Sequence, residues 1–435
     1  MSIFLNPVLI SVILLCVLCL FKLNVLMSLV ISALAGAVLA GIGVPEAMSI
    51  LCDGFGANAG TALAYIFLGT FASAVAATGL ADMMSKKLSK IIGKNRLLLL
   101  LVLAGVASLS QNLVPVHIAF IPIMIPPLLT LFNALHLDRR AVACSLAFGL
   151  KAPYIVIPFG FGAIFMGIIA DNMTANGMQV AIADVASVNW ILALAMFAGL
   201  MIAIALSYRK PRSYQALEVD TSLTQAVGDA ITRAHLVTIA AVVIVVIVQV
   251  ISESLALSAL FGVLVMIIGG AIRYNQVDEH FASGIKLMGM IAMIMLVAGG
   301  YAEVMKATGS VDALVEAAVA VMGGSKWIAA IVITLIGLLV TIGIGSSFST
   351  VPVLAVLYVP LCQKLGFSVP ATILLMSAAA ALGDAGSPAS DTTLGPTSSL
   401  NADGQHDHIF DTCVPTFLHY NIPLMLVSIV ASQFI

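Results

Sequence analysis

The chain has 435 residues, of which 61% are apolar and only 9% are charged. A soluble domain carries about 25% charged residues, so this composition predicts an integral membrane protein. Lys and Arg number 18 and Asp and Glu number 20, a net charge of −2, which leaves no basic excess for nucleic acid. The length accommodates roughly ten to twelve spans of about 20 residues. It excludes a single-span receptor and leaves no room for a large soluble catalytic domain.

Apolar runs follow one another along the whole chain, and most are long enough to span a bilayer. The first has no basic segment before it and no small-residue cleavage site, so we expect a retained span and not a signal peptide. The runs lie at 4–21, 23–43, 59–81, 97–110, 116–135, 141–170, 188–207, 235–252, 255–272, 284–305, 327–344, 350–363, 370–382 and 416–434.

Lys and Arg cluster at 86–96, 139–140 and 209–212. The positive-inside rule places all three clusters in the cytoplasm. The stretch between the first two clusters must therefore enter the membrane and return. Its first arm is short and its turn (SLSQNLVPVH, 108–117) is polar, which predicts a re-entrant hairpin at about 97–135. Two complete spans are the alternative, because irregular backbone at membrane depth is tolerated only inside protein or a cavity.

The chain aligns with itself at an offset of 230 residues. Ala-Thr-Gly at 77–79 falls on Ala-Thr-Gly at 307–309. Other matched pairs are Gly54 and Gly284, Gly69 and Gly299, Pro122 and Pro352, and Pro158 and Pro388. The constant register over 54–158 predicts an internal duplication of the kind common in transporters.

Each repeat contains five predicted spans and one hairpin, so the second repeat must be inverted. Charge supports this independently: 83–96 contains five Lys and Arg, whereas the matching 313–326 contains one. We therefore predict an all-α polytopic protein with ten spans, two hairpins and both termini outside. The first repeat covers 1–208, a cytoplasmic linker 209–234, and the second repeat 235–435, whose hairpin is expected at about 327–363.

Polar groups at membrane depth indicate function, because a charge at mid-bilayer costs about 2.5–3.5 kcal/mol. The two hairpin tips are polar, and helix ends there leave backbone groups free to replace an ion's water shell. Close helix packing by Ser and Gly is the alternative explanation. The tip residues that we single out are Gln111, Asn112, His117, Ser346, Ser347, Ser349 and Thr350.

Two further polar clusters interrupt predicted helices. Residues 151–160, within the run 141–170, contain two prolines and a glycine that break a helix. The matching segment of the second repeat, LGDAGSPASDTTLGPTSS (382–399), lies within a broken helix predicted at 370–400. Its carboxylates, hydroxyls and free carbonyls are the oxygen ligands that hard cations such as Na⁺ prefer. A solvated loop with helix caps is the alternative.

These clusters predict a substrate site and a coupling-ion site. The substrate ligands are expected to be Gln111, Asn112, His117, Lys151, Tyr154, Ser346, Ser347 and Ser349. The coupling-ion ligands are expected to be Asp384, Ser387, Ser390, Asp391, Thr392, Thr393 and Thr350. Either Asp384 or Asp391 is a candidate ion ligand or proton carrier.

The segment NADGQHDH (401–408) is rich in metal-ligating residue types. Its two histidines alternate, which is poor spacing for one helix face, so a polar cytoplasmic loop is the preferred interpretation. No metal other than Na⁺ as coupling ion, and no organic cofactor, is expected. The chain has no P-loop, G-x-S-x-G or H-E-x-x-H motif, which argues against an ATP-driven pump, a serine hydrolase and a zinc protease.

The run Gly383-Asp384 to Thr393 (GDAGSPASDTT) resembles the GD-x-x-SP-x-SDTT-like signature of NhaC-type Na⁺/H⁺ antiporters, within the ion transporter superfamily. The resemblance implies inverted repeats, paired re-entrant hairpins, an elevator-type motion and a homodimer. The longer run from Gly383 to Leu418 resembles a branch described as Na⁺/H⁺ antiporter family proteins or amino-acid permeases, some of them thought to carry histidine.

One departure from that pattern bears on the substrate. We expect an acidic motif in the first repeat as well, but 149–162 reads GLKAPYIVIPFGFG, with Lys151 and no Asp. A site with Asp on one side and Lys on the other suits a zwitterion or a carboxylate better than bare Na⁺. The sequence thus predicts a Na⁺- or H⁺-coupled secondary transporter of the bacterial inner membrane, not an enzyme, with an amino acid as substrate. The alternatives are a Na⁺/H⁺ antiporter without organic substrate and a non-transporting membrane scaffold.

Overall fold

The computed structural model describes residues 5–21, 23–80, 95–112, 121, 125, 128–215, 231–252, 254–344, 347–388 and 390–435. The regular secondary structure in these ranges is helical. This follows from the apolar composition, because a helix satisfies its own backbone hydrogen bonds inside a bilayer.

The first half of the chain contributes nine helices within the described ranges. They are α1 (Pro7–Leu20), α2 (Val25–Leu39), α3 (Val44–Asp53), α4 (Ala59–Ala77), α5 (Arg96–Asn112), α6 (Leu129–Ala134), α7 (Arg139–Val156), α8 (Phe161–Ala175) and α9 (Ile182–Ser207). A short 3₁₀ turn, Gly54–Asn58, joins α3 to α4, and α9 ends in a π-helical turn, Ala203–Ser207.

The second half contributes nine more over the part of the chain that is described. They are α10 (Arg233–Ser252), α11 (Leu255–Ile268), α12 (Val277–Ala307), α13 (Val311–Val321), α14 (Lys326–Ile344), α15 (Ser347–Lys364), α16 (Val369–Ala381), α17 (Asp391–Leu400) and α18 (His408–Ala431). Two π-helical turns, His408–Cys413 and Phe417–Asn421, widen α18.

Within the described ranges, α9 and α18 are each long and apolar enough to cross a membrane. Helices α7 and α8 make a further crossing if they are one span, bent by 50° at the break between them. Several of the other helices are apolar but shorter. The count of ten spans therefore stays a prediction.

Both predicted hairpins are described only in part. Helices α5 and α6 flank the first, and its tip at 113–120 lies outside the described residues. Helices α14 and α15 form the two arms of the second, whose turn at 345–346 is likewise outside them. The re-entrant course of each hairpin remains a prediction.

Helices α4 and α12 touch backbone to backbone through glycines. A Cβ added at Gly69 would lie 2.6 Å from the carbonyl oxygen of Gly284. A Cβ at Gly54, in the turn before α4, would lie 2.7 Å from the Cα of Gly300 and 3.1 Å from the carbonyl oxygen of Gly299. Small residues at these points let two helices approach closely, which is how helices associate in lipid.

This contact makes a stability prediction. Gly69→Ala should lower the free energy of unfolding by about 1–3 kcal/mol, because the new methyl group meets backbone that cannot yield. Gly105→Ala is the matched control, since nothing lies within 4 Å of a Cβ added at that exposed position in α5. The control should be neutral or stabilising by up to about 1 kcal/mol. Thermal unfolding of the purified variants in detergent measures both, and equal midpoints for the two variants would contradict the close approach.

Candidate functional site

The first interrupted helix is broken between Val156 and Phe161. Pro153, inside α7, lacks an N–H and crowds the preceding turn. Gly160 has a φ of 60°, a left-handed conformation that glycine adopts without penalty. The carbonyl of Ile155 accepts a 2.9 Å hydrogen bond from Nδ2 of Asn189 on α9. A neighbouring span thus satisfies a polar group that the break exposes.

The second interruption, residues 382–390, lies between α16 and α17. Its backbone is held by hydroxyl groups of the predicted signature. The hydroxyl of Thr392 donates to the carbonyl of Asp384, and that of Thr393 donates to the carbonyls of Ser387 (2.5 Å) and Ser390 (2.9 Å). Five of the predicted ion ligands therefore also have a structural role in closing this loop. Their ability to bind an ion remains a prediction.

Asp384 is the point at which the two interruptions meet. Its carboxylate is buried, with 6% of the residue exposed. One oxygen accepts a 3.2 Å hydrogen bond from the backbone N–H of Ser347, at the start of α15, and the other accepts one from the hydroxyl of Tyr154 on α7. The Tyr154 hydroxyl also lies 3.3 Å from Oγ of Ser347. Three predicted site residues from distant parts of the sequence are thus in direct contact.

Lys151 lies one turn before Tyr154 and is fully buried. It is twelve residues into α7, or roughly 18 Å from the N-terminal end of that helix at 1.5 Å per residue. The ammonium is 3.4 Å from Oδ1 of Asn421 on α18 and interacts electrostatically with Asp384. No ion pair found in the described residues includes Lys151. The ammonium of Lys151, which has no ion-pair partner among the described residues, therefore lies in the same buried region as the carboxylate of Asp384.

Two asparagines complete this region, and sequence reasoning missed both. Nδ2 of Asn421, beside Lys151, and Oδ1 of Asn189 are buried and have no hydrogen-bond partner among the described residues. Asn189 lies in a largely apolar stretch of α9, whereas Asn421 follows His419 and Tyr420 in α18. An isolated amide in an apolar run is a signal that could have found Asn189, because unpaired polar groups are costly at membrane depth.

A cluster of aromatic rings packs beside the carboxylate. The ring of Phe348 lies 5.6 Å from the rings of Tyr154 and Phe161, 5.9 Å from Phe165 and 6.0 Å from Tyr65. These edge-on and tilted contacts are favourable for aromatic pairs. All five rings are buried, and the low dielectric of such surroundings strengthens the interactions of nearby charges.

The remaining predicted residues fall into three groups. Thr350 is buried on α15, one turn after Ser347. For four residues only the backbone position is described: Gln111 and Asn112 at the end of α5, Ser349 in α15, and Asp391 at the start of α17. His117 and Ser346 lie outside the described residues.

A buried ion pair joins α7 to the segment after α17. The guanidinium of Arg139 is fully buried and donates to both oxygens of Asp403, at 2.6 and 2.5 Å. It also donates to the carbonyl of Leu400 (2.8 Å) and stacks 4.2 Å from the ring centre of Tyr214. Burial by itself would raise the pKa of Asp403, but the hydrogen bonds and charge of Arg139 outweigh it and hold that pKa below its usual range.

Further ion pairs extend this contact across the same face. Arg212 pairs with Asp411 at 2.7 Å and lies 3.8 Å from Asp138, which itself pairs with Arg140 at 2.7 Å. We call Arg139, Arg212, Asp138, Asp403 and Asp411 the ion-pair layer. It lies at the N-terminal ends of α7 and α18 and includes Asp403 from the segment between α17 and α18. Among the described residues, no three His, Cys, Asp or Glu side chains are grouped to hold a metal.

Comparisons with known proteins identify the family of the chain. The Na+/H+ antiporter family model matches residues 145–429, and a second, the Na+-H+ antiporter family model, matches 6–92. The chain is 45% identical to an uncharacterized membrane protein of Vibrio parahaemolyticus, covering 98% of this chain and 99% of that protein. It is 44% identical to the putative amino acid transporter YuiF of Bacillus subtilis, over 98% of this chain and 99% of YuiF.

Two solved transporters share the fold at low sequence identity. The Alcanivorax borkumensis YdaH transporter superposes with a TM-score of 0.62 at 14% identity, covering 88% of this chain and 87% of YdaH. Neisseria gonorrhoeae MtrF superposes with a TM-score of 0.60 at 15% identity, covering 89% and 84%.

The apolar helices, the interrupted spans and the buried charges define a multi-pass transporter of the bacterial inner membrane. The chain belongs to the Na⁺/H⁺ antiporter family. This confirms the resemblance that the signature at 383–393 indicated.

The Arg139–Asp403 pair makes a prediction about stability and pH. Asp403→Asn should lower the free energy of unfolding by about 3–5 kcal/mol, because it leaves the buried guanidinium of Arg139 without its partner. Since the pKa of Asp403 is depressed on folding, its contribution is present at neutral pH and is lost below about pH 4, as the carboxylate protonates. Denaturation midpoints measured from pH 7 down to acid pH test this.

Glu316→Gln is the control for that measurement. Glu316 pairs with Lys364 at 3.6 Å, but both side chains are largely exposed, and exposed pairs contribute about 0–1 kcal/mol. If Asp403→Asn lost no more stability than Glu316→Gln at neutral pH, the buried pair would not be a structural contact of the folded state.

Proposed function

We propose that this protein is a secondary transporter, coupled to Na⁺ or H⁺, that carries an amino acid across the cytoplasmic membrane. The observation that carries the proposal is the convergence of buried Lys151 and buried Asp384, from two interrupted helices. Uncompensated charge at this depth is costly and in membrane proteins accompanies transport pathways. Opposite charges in one site match the two ends of a zwitterion.

Lys151 and Asp384 each have their own polar surroundings, which supports one role in substrate binding and another in ion coupling. Lys151, with the unpaired amide of Asn421 beside it, is suited to a substrate carboxylate through a charge-assisted hydrogen bond. Asp384 accepts a hydrogen bond from the hydroxyl of Tyr154, and the hydroxyls of Thr392 and Thr393 close the loop that holds it. These oxygen groups suit a cation. We assign Asp384 to the coupling ion together with Ser387, Ser390, Asp391, Thr392, Thr393 and Thr350. We assign Gln111, Asn112, His117, Tyr154, Ser346, Ser347 and Ser349 to the substrate with Lys151.

The relatives support transport and differ on the substrate. YuiF of Bacillus subtilis is described as a putative amino acid transporter, which favours the proposal. The family description favours a second function, Na⁺/H⁺ exchange without an organic substrate. The two functions differ in whether ion movement requires an organic solute.

Reciprocal contacts support an inverted repeat. At the 230-residue offset, Gly69 of the first repeat matches Gly299, and Gly284 of the second repeat matches Gly54. The contact between Gly69 and Gly284 therefore corresponds to a contact between Gly299 and Gly54. Both contacts are present. A two-fold relation between halves produces such exchanged pairs, because residue i of one half meets residue j of the other and the reverse.

The site itself shares this relation. Tyr154 and Asp384 are 230 residues apart and therefore occupy matching positions of the two repeats, and they are hydrogen-bonded to each other. A substrate on the axis between inverted repeats can be presented to either side by moving one part of the protein against the other. We include an elevator-type motion and a homodimer in the proposal, as the family resemblance implies.

The transport proposal is tested with purified protein in liposomes, under imposed Na⁺ and pH gradients, with a panel of amino acids. Uptake of one or more is expected. Lys151→Ala should lower the affinity of the protein for the transported amino acid on the order of tenfold to a hundredfold. The reason is that a charge-assisted hydrogen bond contributes roughly 1.5–3 kcal/mol. Lys306→Ala is the control, since Lys306 is partly exposed and pairs with Glu303. Ion movement that no amino acid affects would favour the antiporter, and affinity unchanged in Lys151→Ala would remove its anchoring role.

The inverted topology is tested by labelling. Ser89→Cys and Ser325→Cys are made singly after the six native cysteines are replaced, and intact cells are treated with a membrane-impermeant thiol reagent. Only Ser325→Cys should react, because the five-to-one excess of Lys and Arg in 83–96 over 313–326 places the first loop in the cytoplasm. Equal labelling in intact cells would contradict the inversion, and permeabilised cells provide the positive control for Ser89→Cys.

A further inference from the structure

A cavity of about 330 Å³ lies between the beginning of α5 and the end of α9. Its apolar lining includes Leu100 and Ile204. Its cationic lining consists of Arg96, Arg209 and Lys210, which we call the cavity cations. The volume falls in the range of sites for small ligands, about 300–1,000 Å³. The cavity therefore offers an apolar wall and a concentration of positive charge to one ligand.

The cavity cations face little opposing charge. Asp138 also lines the cavity, but its carboxylate pairs with Arg140 at 2.7 Å and lies 3.8 Å from Arg212. No ion pair found in the described residues includes a cavity cation. The positive charge at this cavity thus exceeds the negative charge, which favours an anionic ligand.

The three basic clusters of the sequence meet at this cavity. Arg96 is the last residue of the first cluster, and Arg209 and Lys210 begin the third. The guanidinium of Arg140, from the second cluster, lies 4.7 Å from the ring centre of Tyr208, which also lines the cavity. The positive-inside rule places all three clusters in the cytoplasm. We therefore expect the cavity at the level of the lipid headgroups on that side.

An apolar stripe along α9 leads to the cavity. The side chains of Trp190, Leu194 and Phe197 are exposed, and their spacing of four and three residues places them on one face of the helix. Further steps of three or four residues reach Ala205 and Tyr208, which line the cavity. The exposed apolar face of a membrane helix contacts the acyl chains of lipids. The stripe and the cavity are thus suited to one amphipathic ligand.

We propose that this cavity binds an anionic phospholipid, with its phosphate among the cavity cations and an acyl chain along the stripe on α9. The charge of the phosphate is complementary to the lining, and basic pockets between membrane helices bind lipid headgroups in this way. A water-soluble anion would leave the apolar stripe uncovered. The proposal does not depend on which substrate the protein carries.

Two double variants that lose the same charge test the site. Arg209→Gln with Lys210→Gln removes two cavity cations, whereas Arg273→Gln with Lys286→Gln removes two exposed cations elsewhere. Each full-length protein is purified in uncharged detergent and titrated with phosphatidylglycerol, and native mass spectrometry measures the fraction that has lipid bound. Phosphatidylcholine with the same acyl chains tests the charge of the headgroup. Glycerol phosphate, a soluble phosphate ester, tests the need for acyl chains.

The wild-type protein should bind phosphatidylglycerol roughly tenfold more tightly than phosphatidylcholine, and glycerol phosphate should not compete. The affinity for phosphatidylglycerol should fall by about thirtyfold in the variant without Arg209 and Lys210. The reason is that each Lys or Arg beside an anionic lipid contributes roughly a factor of five. The affinity of the control variant should equal that of the wild type.

A further variant separates a cavity from a basic surface. Ala205→Phe adds a ring to the cavity lining and leaves every charge in place, so phosphatidylglycerol should bind roughly tenfold more weakly. The thermal unfolding midpoint without added lipid shows whether this variant is folded. The two double variants change exposed side chains and keep the test decisive if Ala205→Phe is unstable.

Four outcomes would overturn the site. The first is equal affinity for phosphatidylglycerol in the two double variants. The second is unchanged affinity in a folded Ala205→Phe protein, which would reduce the cations to a basic surface. The third is competition by glycerol phosphate, which would identify a soluble anion as the ligand. The fourth is a dimer that dissociates without Arg209 and Lys210 while lipid binding persists, which would assign this face to a second copy of the chain.

Discussion

The free energy needed to keep a carboxylate and an ammonium away from water constrains the rest of this structure. Asp384 is stabilised by two donors, the backbone N–H of Ser347 and the hydroxyl of Tyr154. The ammonium of Lys151 has one hydrogen-bond acceptor among the described residues, the amide oxygen Oδ1 of Asn421 at 3.4 Å. Because few donors and acceptors are free inside a helical membrane protein, two helices must break and the end of a third must reach the same point. The positions of α7, α15 and α16–α17 all follow from that requirement.

Packing outside the site makes this convergence possible. Glycines let α4 and α12 touch along their backbones, and the aromatic cluster around Phe348 fills the space beside the carboxylate. At the N-terminal end of α7 the ion-pair layer holds this helix against the segment after α17. The layer and the site are linked through α7, which begins at Arg139 and carries Lys151. A change in one is therefore mechanically connected to the other.

The sequence was sufficient for a helical membrane protein and for the places at which two of its helices are interrupted. Proline and glycine near Lys151 and around Asp384 marked the interruptions, because those residues break helices whatever surrounds them. The partners of these residues could not be predicted in the same way. Asn421 beside Lys151, the four rings around Phe348 and the Arg139–Asp403 pair join residues far apart in sequence, and no local pattern encodes such contacts. The hydroxyls of Thr392 and Thr393 were expected only as ion ligands, and the carbonyls to which they donate became visible only when the loop was seen folded.

The account depends most on Lys151 as the group that receives a substrate carboxylate. The most direct measurement is an experimental structure of the protein in lipid nanodiscs with a transported amino acid bound. The account predicts a ligand between the two interruptions, with a carboxylate oxygen within about 3 Å of the Lys151 ammonium and Asn421 beside it. An amino acid bound elsewhere, with Lys151 still facing only Asn421, would contradict it.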